Sequence, residues 1–338
     1  MLMRISEGRA TVLVYDHTAY GRGRYYTAAP VFYNPYMKTN RDISVLMTRY
    51  FAEDDDNYLD LFSATGIRAI RIALESGIKH VTANDISPKA IDLIKRNAEL
   101  NSVDIDIVSE DANRLMLKAG RYRFVDIDPF GSAAPFLENA SFCIEDNGIL
   151  SVTSTDGPVL CGIYPDKSMR HYHVRLRKTT LCHEVALRTL LASAAMSLGR
   201  HDMGIEPVLS YVDRHYFRVY IRVRKGASRA GKSMGCLDYI SVCNRCGWFA
   251  RKIREKCPVC GTSTVFIGPV WISSMQDPED VGNICRNRRD EDMKKAYKIL
   301  ERITNELDTL LYYNLSHIAG YLSVSLKSMN YYINKLQE

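Results

Sequence analysis

The sequence predicts an α/β fold, an open and mostly parallel sheet with helices on both faces, followed by a smaller C-terminal α+β region. Three observations carry this. From residue 58 to residue 154, short apolar runs alternate with segments of helical period. Two later β-like runs, 207–212 and 216–223, are separated only by Asp213, Arg214 and His215, as in an antiparallel hairpin at a sheet edge. Two Cys-x2-Cys pairs then lie between Cys243 and Cys260.

In order, residues 58–62 read as a strand, and 66–76 as a helix with Ile67, Ile70, Ala73 and Leu74 on one face. A strand at 79–85 leads to Ser87-Pro88, an N-cap followed by proline, opening a helix to about Asn101. Strands follow at 105–110 and 124–128, then a helix at 133–144 and a strand at 148–154. Strand–helix alternation implies right-handed crossovers and a sheet covered on both faces. Residues 156–178 read as a polar stretch, 181–198 as a strong helix and 226–235 as a linker. Beyond Glu291, Met293, Tyr297, Leu300, Ile303, Leu307 and Leu310 fall at helical steps. Residues 315–322 and 325–336 suggest a final helix pair of helix-turn-helix type, either packing or touching RNA. We therefore expect one domain over 1–235 and a second over 236–338.

Composition excludes several classes. Of 338 residues, 46% are hydrophobic and 25% charged, so a core can form and a disordered chain is excluded. No apolar run approaches the roughly 18 residues of a membrane span. Met1-Leu2-Met3-Arg4-Ile5-Ser6-Glu7 becomes charged at once, so no secretory leader is expected. The nine cysteines are an odd number, which argues against a complete disulfide framework and for a reducing, cytoplasmic setting. Nothing in the sequence calls for an obligate protein partner.

In open α/β sheets, ligands bind at the carboxyl ends of the strands. Asp60, Asp85 and Asp111, the last followed by Ala112, sit at three such ends. Any one of them could serve only as a helix N-cap. The first turn, Phe62-Ser63-Ala64-Thr65-Gly66, lacks the GxGxxG that lets a backbone approach a pyrophosphate. A carboxylate that accepts two ribose hydroxyls and another that accepts an adenine amine suit a phosphate-free adenosyl cofactor, S-adenosylmethionine, better than a dinucleotide. The fourth strand ends in Asp126-Ile127-Asp128-Pro129-Phe130-Gly131. An exocyclic amine is a poor nucleophile because its lone pair is delocalised into the ring. A carboxylate can orient its N–H and take the proton, base assistance that typically supplies about 10²–10⁴-fold. The Pro129 carbonyl can accept a second N–H. Phe130 can stack on an extracted base, worth about 1–3 kcal/mol. The alternative is a plain strand-ending turn.

These segments occur in order with Phe32-Tyr33-Asn34-Pro35, Asn40-Arg41-Asp42, Asp60-Leu61-Phe62-Ser63-Ala64-Thr65-Gly66-Ile67-Arg68, Asn84-Asp85-Ile86, Thr155-Asp156 and Asp213-Arg214-His215-Tyr216-Phe217-Arg218-Val219. Together they closely resemble the tRNA guanine-26 N2-dimethyltransferases of archaeal type. The resemblance spans about residues 4–335. It implies a class I, Rossmann-like methyltransferase fold and transfer of one, then two, methyl groups to guanine N2. It also implies Asp128 as the catalytic aspartate, Arg41 and Arg68 holding S-adenosylmethionine, and Asp85, Asp111 and Ala112 at its adenosyl part. Phe32 and Phe130 would sandwich the guanine. Asp60 completes the expected cofactor set.

Cys243, Cys246, Cys257 and Cys260 are expected to bind a structural zinc ion. Each pair is followed by glycine, Gly247 or Gly261, which turns amide N–H groups toward sulfur. The other five cysteines read as bystanders. Residues 200–260 hold 13 Lys and Arg against 5 Asp and Glu. Arg218, Arg222 and Arg224 on one strand face, and Arg251, Lys252, Arg254 and Lys256 between the knuckles, suggest tRNA phosphate contacts. Two alternatives stay open: another amino-methyltransferase acting on rRNA or DNA, and a non-catalytic zinc-dependent RNA-binding protein.

Overall fold

The computed structural model describes residues 1–16, 29–306, 309–328, 330–332 and 334. The chain forms two compact units, Met1–Thr155 with Ala194–Met234 and Ser274–Leu307, and Asp156–Ser193 with Gly235–Ser273 and Asp308–Glu338. It passes between them at 234/235, beside the boundary expected from the sequence, and at four further points.

The first unit opens with the hairpin β1 (Leu2–Glu7) and β2 (Ala10–Tyr15), then α1 (Lys38–Phe51) and β3 (Asn57–Asp60). Next come α2 (Ile67–Glu75), β4 (His80–Asn84), α3 (Pro88–Leu100), β5 (Asp106–Val108), α4 (Ala112–Lys118) and β6 (Tyr122–Ile127). Short helices α5 (Ala134–Leu137) and α6 (Ala140–Cys143) lead into β7 (Ile144–Ser154). In the second unit, α7 (Gly157–Leu160) and α8 (Pro165–Tyr172) precede α9 (Cys182–Gly199), whose last residues return to the first unit. β8 (Met203–Asp213), β9 (Tyr216–Lys225) and α10 (Ala227–Gly235) follow, then β10 (Leu237–Val242), β11 (Phe249–Arg251) and β12 (Val265–Trp271). The chain continues with α11 (Pro278–Arg286), α12 (Lys294–Thr304) and α13 (Leu315–Leu322).

The first unit is built on a seven-stranded sheet in the order β5-β4-β3-β6-β7-β9-β8. Its first five strands are parallel, and β9 and β8 complete it antiparallel, as the hairpin reading expected. Tyr58, Val81, Phe124, Ile149 and Tyr220 of the sheet join Ile43 and Met47 of α1 and Tyr297, Leu300 and Ile303 of α12 in one core. Each such side chain contributes about 1.5–3 kcal/mol when fully buried. The helical steps from Met293 to Ile303 therefore mark a core-facing stripe of this unit and not a separate C-terminal domain. On the opposite side, Ala10, Val12 and Val14 alternate inward from β2 onto Ile67 and Ile70 of α2. Asn97 of α3 and Asn101, which caps its C-terminus, serve β2 as a strand would. Their Oδ1 atoms accept from Leu13 N (2.7 Å) and Thr11 N (2.8 Å), and their Nδ2 groups donate back to the same residues' carbonyls.

Several expectations are corrected. The helix at 133–144 is two single turns, because Ser141 N and Phe142 N bond carbonyls three residues back, and the strand begins already at Ile144. The linker at 226–235 is α10, seated by Ser233 Oγ, which accepts from Ile205 N and donates to Ile205 O. The stretch at 156–178 holds α7 and α8, each with proline in its first turn. α12 ends at Thr304, so Leu310 lies outside it; Leu307 and Leu336 lie outside the described residues. In the second unit, β11-β10-β12 form a small antiparallel sheet. Among the described residues, no helix is long and apolar enough to cross a membrane.

Candidate active site

The carboxyl ends of β3, β4 and β6 open onto a cavity of about 500 Å³. Eight of the ten catalytic and cofactor residues expected from the sequence line it: Phe32, Arg41, Asp60, Arg68, Asp85, Asp128, Pro129 and Phe130. Asp111 and Ala112 do not. Asp111 caps α4, its Oδ1 accepting from Arg114 N at 3.1 Å, the simple alternative for a strand-end aspartate.

Asp85 fixes the first turn, with Oδ2 accepting from Ala64 N and Oδ1 from Ser87 N, both at 2.9 Å. Asp60 is different in kind. It is 1% exposed, and neither carboxylate oxygen has a hydrogen-bond partner among the described residues. Burial pushes its carboxyl up to about 7, against the pull of Arg68 and with the charge of Asp126 adding to the rise.

Under the turn Asp128-Pro129-Phe130-Gly131 lies a buried charge network. Arg218 of β9 donates to both oxygens of Asp126, at 3.0 and 2.5 Å, and Tyr58 Oη adds a third bond at 2.9 Å. Burial alone would raise the Asp126 carboxyl; Arg218 and Arg68 hold it below the usual carboxylate range. Arg68 donates to Asn40 Oδ1 (2.8 Å), to Ser44 Oγ (2.7 Å) and to Asp128 Oδ2. Asp128 Oδ1 is left with no hydrogen bond to a described residue. Thr155 clamps the turn from both directions, Oγ1 accepting from Gly131 N (2.9 Å) and its N–H donating to Gly131 O (2.8 Å). Arg218 is thus fully buried, which corrects its reading as part of a basic RNA-facing strand face. Arg222 is likewise paired, with Asp280 at 2.9 Å, and Arg224 with Asn147 at 2.7 Å.

Arg41 is committed to Glu7, with bonds of 2.7 and 2.6 Å, and to the Asn34 carbonyl. Burial would raise the Glu7 carboxyl, but Arg41 and Arg71 hold it down to about 2. Phe130 is 68% exposed and meets Phe32 edge to face, with ring centroids 4.7 Å apart.

Sequence reasoning gave no role to Asn34, Phe62, Phe136, Thr155 and His215, which also line the cavity. Asn34, Phe62, Thr155 and His215 stand in the segments that carry the family resemblance, which is the available signal.

In the second unit, the four cysteines converge. Cys243 and Cys260 Sγ are 3.5 Å apart, as are Cys246 and Cys257, and all four sulfurs lie within 4.8 Å of one another. Gly247 and Gly261 take φ of +80° and +71°. Arg251, Lys252, Arg254 and Lys256 are exposed.

The family model for N2,N2-dimethylguanosine tRNA methyltransferase matches residues 8–338. A tRNA (guanine(26)-N(2))-dimethyltransferase of Methanothermobacter thermautotrophicus is 37% identical over 319 residues, spanning 91% of this chain and 82% of that protein. Its counterpart in Thermococcus kodakarensis is 35% identical over 100% of this chain and 91% of its own length. The solved structure of Trm1 from Pyrococcus horikoshii in complex with S-adenosyl-L-methionine matches with a TM-score of 0.88 and 34% identity, covering 99% of this chain and 92% of that one. On this evidence the chain belongs to the N2,N2-dimethylguanosine tRNA methyltransferase family.

Proposed function

We propose that this chain transfers one, then two, methyl groups from S-adenosylmethionine to the exocyclic N2 of guanine 26 in tRNA. The observation that carries the reading is Asp128 on the cavity wall, with one oxygen pinned by Arg68 and the other open, beside the exposed ring of Phe130.

The cavity residues fit the cofactor. Asp60 is a buried carboxylate without a donor, the partner a cationic ammonium group requires. Asp85 spends one bond per oxygen on the turn and keeps lone pairs for ribose hydroxyls. The cavity wall gives no support to adenine contacts from Asp111 and Ala112. Arg41 and Arg68 line the cavity but are engaged with Glu7 and Asp128, so Arg68 holds the Asp128 carboxylate and Arg41 fixes the wall through Glu7 and the Asn34 carbonyl. When bound, S-adenosylmethionine supplies an electrophilic methyl group.

The chain's own residues do the rest. Asp128 Oδ1 would accept an N2–H of guanine, favour a pyramidal nitrogen, and take the proton that N2 sheds as the methyl passes to it and the sulfonium–methyl bond breaks to leave a neutral thioether. Arg68 keeps Asp128 in position from below. The Pro129 carbonyl accepts the other N–H during the first transfer. Phe130 and Phe32 hold the two faces of the base, which requires rings about 7 Å apart, twice the optimal carbon–carbon contact distance. At 4.7 Å the rings occupy one another's place, so they must part when guanine enters, and the exposed Phe130 is the one free to swing.

The four cysteines fit a closed zinc site, with sulfurs on four sides and no position for substrate. Zinc there ties the β10–β11 turn to the second knuckle. We place the enzyme in the cytoplasm, where these thiols stay reduced, and give it no protein partner.

The test is incubation with unmodified tRNA transcript and labelled cofactor, followed by nucleoside digestion. N2-methyl- and N2,N2-dimethylguanosine at position 26 are expected. Methyladenosine alone, or a preference for rRNA or DNA, sinks the proposal. Asp128→Ala should lose at least about 10²-fold in transfer while still binding cofactor. Retention of more than a tenth of the rate removes Asp128 as the base.

A further inference from the structure

We infer that Cys161, Cys182 and His183 form a second metal site, which takes one soft divalent cation, zinc, and leaves one coordination position to water. The inference does not depend on the methyltransferase reading.

The three residues come from two distant places in the chain. Cys161 directly follows α7, and Cys182 and His183 are the first residues of α9. Gly162 explains how they meet. Its φ is +74°, and a Cβ there would lie 2.4 Å from the Arg177 carbonyl carbon, so the loop after α7 is pressed onto the backbone just ahead of α9. The result is that the Cys161 and Cys182 sulfurs and one His183 ring nitrogen all lie within 4.8 Å of one another. Around a tetrahedral zinc, with Zn–S of about 2.3 Å and Zn–N of about 2.0 Å, ligand atoms stand about 3.5–3.8 Å apart. Small side-chain rotations close the gap, and the backbone need not move.

The local geometry repeats what the four-cysteine module shows. Cys246-Gly247 and Cys260-Gly261 turn through a left-handed glycine at +80° and +71°, and Cys161-Gly162 does so at +74°. Two sulfurs and an imidazole are a donor set for zinc and other soft ions, and not for magnesium or calcium. The environments differ, however. Cys243, Cys246 and Cys257 are buried, whereas Cys161 and Cys182 are half-buried and His183 is exposed. Solvent therefore reaches this site, and three ligands hold the ion instead of four. It should be the first to leave under a chelator.

The experiment counts zinc in the full chain, purified under reducing conditions, loaded with excess zinc and desalted. Two ions per chain are expected in the wild type, and one in Cys161→Ser and in His183→Ala. Cys236→Ser, a control outside both clusters, should keep two. Competition with a chromogenic chelator should show a fast and a slow phase, of which Cys161→Ser loses the fast one. His183→Ala, at an exposed position, carries the count if Cys161→Ser does not fold. One ion in the wild type and one in both variants overturns the site and leaves the four-cysteine module standing. One in the wild type and none in Cys161→Ser overturns that module instead. A Cys161–Cys182 disulfide in the non-reduced wild type, resistant to zinc loading, also overturns the metal site.

Discussion

The arginines of β9 and the cations of the loop at 251–256 stand at opposite ends of what a positive charge can do in a protein. Arg218 is fully buried and divides its donors among Asp126, Thr153 and Ser44. Lys252, Arg254 and Lys256 are exposed, and among the described residues none of them forms an ion pair, although the Arg251 hydrogen bond and, more weakly, the Lys252 charge help hold the Asp238 carboxyl below its usual range. The first kind is structural. Its charge is cancelled by a carboxylate two residues before Asp128, and it sets the floor of the turn that carries Asp128. The second kind projects a field into solvent that a polyanion can feel. A charge count along the chain cannot separate them, but folding and salt titrations can.

The sharpest break comes at Arg218. Arg218→Met leaves Asp126 buried with the Tyr58 hydrogen bond and the more distant Arg68 guanidinium, and removing one partner of a buried pair costs about 3–5 kcal/mol. Urea denaturation followed by fluorescence should show a loss of that size. A loss under about 1 kcal/mol would mean that water reaches Asp126 and that the pair is not structural.

Glu7 tests the same principle through pH. Its carboxyl is held at about 2 in the fold against 4.5 in the unfolded chain, chiefly by Arg41 and Arg71 working against burial. The folded state therefore binds this proton less readily than the unfolded one. The stabilisation is fully present above about pH 4.5 and is lost as pH falls toward 2, and the shift corresponds to about 3 kcal/mol. Glu7→Gln should flatten the acid limb of the stability curve in that window relative to wild type. Parallel curves would refute the assignment.

Asp60 differs from Asp126 and Glu7: among the described residues its carboxylate has no hydrogen-bond donor. Its raised value reverses the sign: the apo fold loses stability as pH rises from about 4 through 7. A cofactor ammonium group beside it favours the ionised form, so binding at pH 7 should release about half a proton, and more toward pH 6. Affinity should then rise by less than about tenfold from pH 6 to pH 7. Calorimetry in buffers of different ionisation enthalpy reads the release directly, and Asp60→Asn should abolish it. Buffer-independent heats in the wild type would show that Asp60 is already ionised or does not meet the ammonium group.

How much of this was legible in the sequence depended on distance along the chain. Asp60, Asp85 and Asp128 follow strand ends, and a strand end is a local pattern of apolar period and turn residues. The four knuckle cysteines are local for the same reason. The Asp126–Arg218 pair spans 92 positions, and nothing near either residue marks it. Arg218 alternates with Tyr220 and Arg222 as any strand residue would, so burial could not be told from exposure. The β1–β2 hairpin lacks an Asn-Gly or Asp-Gly turn, and its edge is satisfied by Asn97 and Asn101 from a helix, which no strand pattern announces. The convergence of Cys161 with Cys182 is likewise a property of the fold.

The loop at 251–256 completes the comparison and should give the smallest effect on folding. Arg251 is held by Asp238 at 2.8 Å, so the variant that isolates the open cations is Lys252→Gln with Arg254→Gln and Lys256→Gln. Exposed substitutions of this type cost within about 0.5 kcal/mol each, and the four cysteines of the module are untouched. Binding to tRNA is where they should register. Each phosphate contact contributes about 0.7–0.9 to the slope of log K against log salt, so three lost contacts should lower the slope by about 2–3. Filter binding from about 50 to 200 mM salt, with urea denaturation on the same protein, measures both quantities. A lowered slope with unchanged stability assigns this loop to the RNA surface. An unchanged slope would leave these cations as a solvated face, and the tRNA phosphates would then have to be held by other residues of the chain.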